Sequence, residues 1–159
     1  MRWKTAIAAV CLMTTVACGS SADHDQADVR FSEDMIVHHR QTIQLAKLAS
    51  GRGESAYVRG LSAKLVPAEE ADIATMSAWL RSWQAPPPPV PVAQVGAELR
   101  AGPGFDRRWM AALSTQLEHG IQMAEAVKAA GRHGPTRELA DRIITEHRAT
   151  LADLAKRPA

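Results

Sequence analysis

Phe31-Ser-Glu-Asp-Met35-Ile-Val-His38-His39-Arg-Gln-Thr-Ile43-Gln-Leu45-Ala46 decides the fold, because the chain writes it twice. The second copy is Trp109-Met-Ala-Ala-Leu113-Ser-Thr-Gln116-Leu117-Glu-His119-Gly-Ile121-Gln-Met123-Ala124. Aligned without gaps, Phe31 falls on Trp109, Met35 on Leu113, Ile43 on Ile121 and Leu45-Ala46 on Met123-Ala124. Apolar residues recur every three or four positions, the period of an amphipathic helix. The same offset lays Leu65-Val66-Pro-Ala-Glu69-Glu70-Ala-Asp-Ile73 over Ile143-Ile144-Thr-Glu146-His147-Arg148-Ala-Thr-Leu151. One offset serving two separate segments marks a repeat of a whole helical hairpin.

Working outward, four helices are expected, at about 29–50, 55–83, 105–130 and 135–156. Gly51-Arg-Gly53 ends the first, and Gly131 with Gly134-Pro135 separates the last two. Pro67 should kink or interrupt the second. Ala85-Pro-Pro-Pro-Pro-Val-Pro is extended and can join neither helix nor sheet. Each hairpin has one apolar face and needs a partner. The expected fold is therefore all-α, an antiparallel four-helix bundle built from two repeated hairpins. Repeat one occupies 29–84, the proline-rich crossover 85–104 and repeat two 105–157.

The N-terminus reads as an address. Arg2 and Lys4 precede an apolar run from Ala6 to Ala17, too short to span a bilayer stably. Thr15-Val16-Ala17-Cys18 resembles a bacterial lipobox, with Thr15 where Leu is usual. Residues 1–17 are thus expected to be a lipoprotein signal peptide. Cys18 is then the expected lipidation site and 18–28 a flexible tether to the membrane; the alternative is an ordinary secretory signal cut near Ala17. The 159-residue chain carries 19 Lys+Arg against 17 Asp+Glu, and Arg2 and Lys4 supply the whole excess. A neutral body gives no basic excess to suggest nucleic acid. Both cysteines, Cys11 and Cys18, lie in this leader, so the body has no disulfide and no thiol ligand.

Polar groups gather near the middle of every helix: His38 and His39, Glu69 and Glu70, Gln116 with Glu118-His119, and Glu146-His147. Inward imidazoles and carboxylates at one height are how bundles build metal sites. Neighbours on a helix lie about 100° apart, so one of His38 and His39 should face inward and the other a helix interface or solvent. Met35 shares a face with His38 and His39, and His119 with Met123. Thioether with imidazole suits copper, especially Cu(I); carboxylates would favour zinc, iron or manganese. No nucleophile motif, phosphate loop or Cys-based metal motif appears. The Glu-x-x-His pattern of di-iron bundles is missing too, since Glu146 and His147 are adjacent.

Phe31-x-x-x-Met35-x-x-His38-His39-x-x-x-Ile43-x-Leu45-Ala46 resembles the signature of the DUF305 family. So does Leu65-Val66-x-x-Glu69-Glu70-x-x-Ile73-x-x-Met76-x-x-Trp79-Leu80. The resemblance implies an exported bacterial protein with a ferritin-like four-helix fold, and some such proteins are implicated in copper binding. The departures are Gln116-Leu117 in place of a second His-His, Glu69 and His147 where glutamine is common, and Pro67. The resulting expectation is an exported, lipid-anchored, non-catalytic protein. It would hold a metal ion, copper first, through His38, His39, Met35, His147 and Glu70. The alternative is a structural or interaction module whose polar layer fixes helix register.

Overall fold

A computed structural model describes residues 23–88 and 94–157. The leader, Cys18 and residues 19–22 of the tether lie outside the described residues. Four helices follow in order: α1 Gln26–Arg52, α2 Ala56–Ser82, α3 Phe105–Ala130 and α4 Gly134–Leu154. The tether was expected to reach residue 28, but α1 begins earlier. Asp25 is its N-cap and forms a capping box with Asp28, which satisfies amides that would otherwise lack partners. Pro67 does not interrupt α2. It sits on the exposed face, where water can satisfy the carbonyl of Ala63 that its missing N–H leaves free.

The helices pair as hairpins, α1 with α2 and α3 with α4, and α1 joins the two hairpins by packing on α3. The join is locked by two reciprocal clasps. Asp28, fully buried near the start of α1, accepts from the Arg132 and His133 amides at 3.0 Å each, in the α3–α4 turn. Asp106, near the start of α3, accepts from the Glu54 and Ser55 amides at 2.8 Å each, in the α1–α2 turn. These residues correspond under the repeat alignment: Asp28 falls on Asp106, and Glu54-Ser55 on Arg132-His133. Each repeat therefore fastens the other's turn.

Two apolar clusters fill the bundle. One centres on Phe31, Met35, Ile36, Met76, Leu80 and Ile143. The other centres on Leu45, Phe105, Trp109, Leu113 and Leu117, where the Trp109 indole donates to the Leu45 carbonyl at 2.8 Å. The crossover returns the chain to the start of α3. Its Leu99 is buried in the second cluster, the Arg52 guanidinium donates to the Leu99 carbonyl, and the Gln44 side chain accepts from the Val95 amide. Gly96 has φ 72° and lies so close to Leu45 and Leu48 that a side chain would not fit. At the opposite end His24 stacks on Trp83 at 4.6 Å, and the His133 ring meets Trp79 and Trp83 edge-on.

Candidate metal centre

Between the apolar clusters lies a layer of polar side chains, and it divides into two halves. The first half is closed. His39, 1% exposed, projects from α1 toward α2. Its Nδ1 lies 2.5 Å from Glu69 Oε2 and its Nε2 3.5 Å from Asp72 Oδ2. Both contacts are ion pairs, buried and away from water. Asp72 in turn accepts from Arg142 of α4 at 2.8 Å. Burial pushes the His39 pKa down, but Asp72 and Glu69 outweigh it and raise the group to about 9. Burial raises Asp72, yet His39 and Arg142 bring it below its usual value. At neutral pH the closed half is a buried imidazolium between two carboxylates.

The second half is open. His38, 2% exposed, projects from α1 toward α3. Its Nε2 lies 2.8 Å from the Gln116 carbonyl oxygen, which can only accept, so Nε2 carries the proton. In return the Gln116 side chain donates to the His38 carbonyl at 3.1 Å. Burial, aided by His39, His147 and His119 and opposed by the Gln116 carbonyl, lowers the His38 pKa to about 3. The ring is therefore neutral, and its Nδ1 lone pair is buried without a partner. His147 is also buried and lowered, chiefly by burial, with Nδ1 3.3 Å from the Leu117 carbonyl. The His38 ring centroid lies 5.7 Å from that of His119 and 6.4 Å from that of His147.

His38 also lines a surface groove of about 660 Å³ with Glu33, Asp34, His119, Met123 and Pro86–Pro88 of the crossover. Neutral imidazole and thioether in one groove form a donor set suited to a soft or borderline metal. An unpartnered buried lone pair is what a metal ion would use, so the residues present fit the group. With metal–nitrogen bonds of about 2.0–2.1 Å, ring centroids on one ion fall within roughly 6.5 Å of each other, and both separations lie inside that reach. Among the described residues no three His, Cys, Asp or Glu side chains already stand as a metal cage.

The expected residues are thus distributed unevenly. His38, His39 and His147 share the layer, but His39 is committed to its carboxylates. Glu70 is exposed on α2; Glu69 takes the inward place, because the face of α2 turned to α1 passes through 69 and 72. Met35 is fully buried in the apolar cluster and does not line the groove. Met123 supplies the thioether there instead. Asp72 and Arg142 escaped the sequence reading; the i,i+3 relation of Glu69 and Asp72 was the available signal.

The family model described as DUF305, a domain of unknown function, matches residues 28–157. No curated protein matches the sequence. Among solved structures, CopM in the Cu(I)-bound form is 24% identical with a TM-score of 0.74, over 81% of this chain and 93% of that one. CopM co-crystallised with silver is 25% identical, with the same TM-score and coverage. A DUF305 protein of Streptomyces coelicolor, described as a candidate secreted protein, is 20% identical with a TM-score of 0.74, over 81% and 90%. The family match spans both hairpins and the layer between them, so the chain belongs to the DUF305 family.

Proposed function

We propose that this protein binds copper at the outer face of the bacterial cytoplasmic membrane or in the periplasm, held by a lipid on Cys18, and does so without catalysis. The observation that carries the reading is the His38 Nδ1 lone pair, neutral, buried and unpartnered, beside a groove that also holds His119 and Met123. His38, His119 and Met123 are the first donors, and His147 stands behind them. A rotation of exposed His119 toward His38 would complete the set. The fold likeness to a protein solved with Cu(I) and silver supports a soft ion. His39 with Glu69, Asp72 and Arg142 serves the bundle itself, since each charge is answered within the layer.

Titration with Cu(I), Ag(I), Cu(II) and Zn(II) tests this. The expected result is tight Cu(I) and Ag(I) binding, weakened at least tenfold by His38→Ala and by combined His119→Ala/Met123→Leu. Binding no tighter than micromolar by the unaltered protein would sink the reading and leave a scaffold. For the anchor, Cys18→Ser should release the protein from the membrane fraction; unchanged membrane retention would count against lipidation.

A further inference from the structure

A glycine in the middle of a helix is disfavoured relative to alanine, so Gly120, buried near the centre of α3, asks for a reason. The reason is space. A Cβ at position 120 would lie 2.8 Å from His147 Cε1, 2.9 Å from His147 Nδ1 and 2.9 Å from His38 Cε1. Even one methyl group would displace two imidazoles that arrive from different helices, α1 and α4. Both rings already hold backbone carbonyls of α3, His38 that of Gln116 and His147 that of Leu117. They have little room to retreat without giving these up. The repeat alignment sharpens the point. Gly120 falls on Thr42, whose side chain is fully buried and donates to the His38 carbonyl. The first repeat fills the place that the second leaves empty.

We propose that Gly120 is the positioning residue of the metal centre: the missing side chain brings the His38 and His147 imidazoles together over α3. For its consequence on metal the proposal rests on the copper-binding reading; for its geometry it does not. Gly120 touches no metal and acts through the two rings.

The test is Gly120→Ala in the otherwise unaltered protein, read in two ways. Without metal, NMR of the unaltered protein should show NOEs from the Gly120 α-protons to the Hε1 protons of both His38 and His147. In the variant both ring resonances should move while that of His24 stays. With metal, Ag(I) or Cu(I) affinity should fall tenfold or more. His147→Ala gives the second arm, because it removes two of the three close contacts and opens space into which the His38 ring can shift. Gly120→Ala added to His147→Ala should cost clearly less affinity than Gly120→Ala alone, since one close contact remains of three, and should fold even if the single variant does not. Ring resonances unmoved by Gly120→Ala, or an equal loss of affinity in both backgrounds, would overturn the proposal. If the unaltered protein binds no metal while the rings still move, the copper reading fails and the positioning role stands.

Discussion

Two adjacent histidines end in different charge states, one neutral and one cationic, because one helix step of about 100° sends them to different neighbours. His39 meets Glu69 and Asp72; His38 meets a carbonyl and other imidazoles. Breaking a buried ion pair from one side strands a charge, at a cost of about 3–5 kcal/mol. Glu69→Ala should therefore lower stability by that order in urea unfolding, and His39→Leu/Glu69→Leu should cost distinctly less. The two pKa directions also set a pH profile. His39, raised from 6.5 to about 9, contributes stability fully present below pH 6.5 and lost as pH rises through 9. His38, depressed to about 3, and His147, also depressed, contribute stability present above pH 6.5 and lost as pH falls toward the folded values. Asp72, held below 3.8, adds to the acid loss. The urea midpoint should peak near pH 6.5–7, and Glu69→Gln/Asp72→Asn should flatten its alkaline side. A midpoint still rising from pH 7 to 9 would contradict this. The sequence identified the imidazole layer, because histidines at mid-helix on or beside an apolar stripe are conspicuous. It did not separate Glu69 from Glu70, because adjacent carboxylates differ only in helix phase, and Pro67 blurs the phase of α2.

At the level of elements, turns and helix starts hold the bundle as firmly as its apolar stripes. Hydrogen bonds to a charged group contribute about 1.5–3 kcal/mol, and Asp28 makes its bonds with no solvent to replace them. Gly131 has no room for a side chain against the Asp28 carboxylate, which makes that clasp unforgiving. Asp28→Ala should cost at least about 2 kcal/mol, and Asp106→Ala, half-exposed, clearly less. The two sites are far apart along antiparallel helices, so the double variant should be additive within about 0.5 kcal/mol. Thermal or urea unfolding of the set checks both order and additivity. Pro67→Ala should act in the opposite direction. A helix-interior proline is disfavoured by up to about 3 kcal/mol, and this one is exposed, so the variant should raise the melting temperature. A fall would mean that a bend at Pro67 aims Glu69 at His39. Helix positions were legible from period and glycine. The clasps were not, because nothing local marks an aspartate whose partners lie in the other repeat.

Over the whole molecule, the repeat predicts more than the helix count. Aspartates that correspond under it make corresponding bonds to corresponding turns, and residues 38 and 116 trade bonds across the α1–α3 contact. The hairpins meet like the two halves of a symmetric dimer joined by the crossover. Chemistry has departed from that symmetry more than packing has: His38-His39 faces Gln116-Leu117, Glu69 corresponds to His147, and Thr42 to Gly120. The layer is consequently closed beside α2 and open beside α3. The crossover has to climb the length of α1, about 40 Å for 27 residues. It binds near its far end through Val95 and Leu99. Its mechanical task is then to keep the hairpins at high effective concentration, while the clasps, the buried core and the His38–Gln116 exchange supply the affinity. A protease site placed within residues 89–93 separates these contributions. After cleavage the two pieces should still migrate as one particle at micromolar concentration, with a urea midpoint that now rises with protein concentration, as for any bimolecular complex. Cleavage of Asp28→Ala/Asp106→Ala should release them. Separation of the pieces with both clasps intact would show that the crossover holds the bundle together and that the reciprocal bonds only set its register.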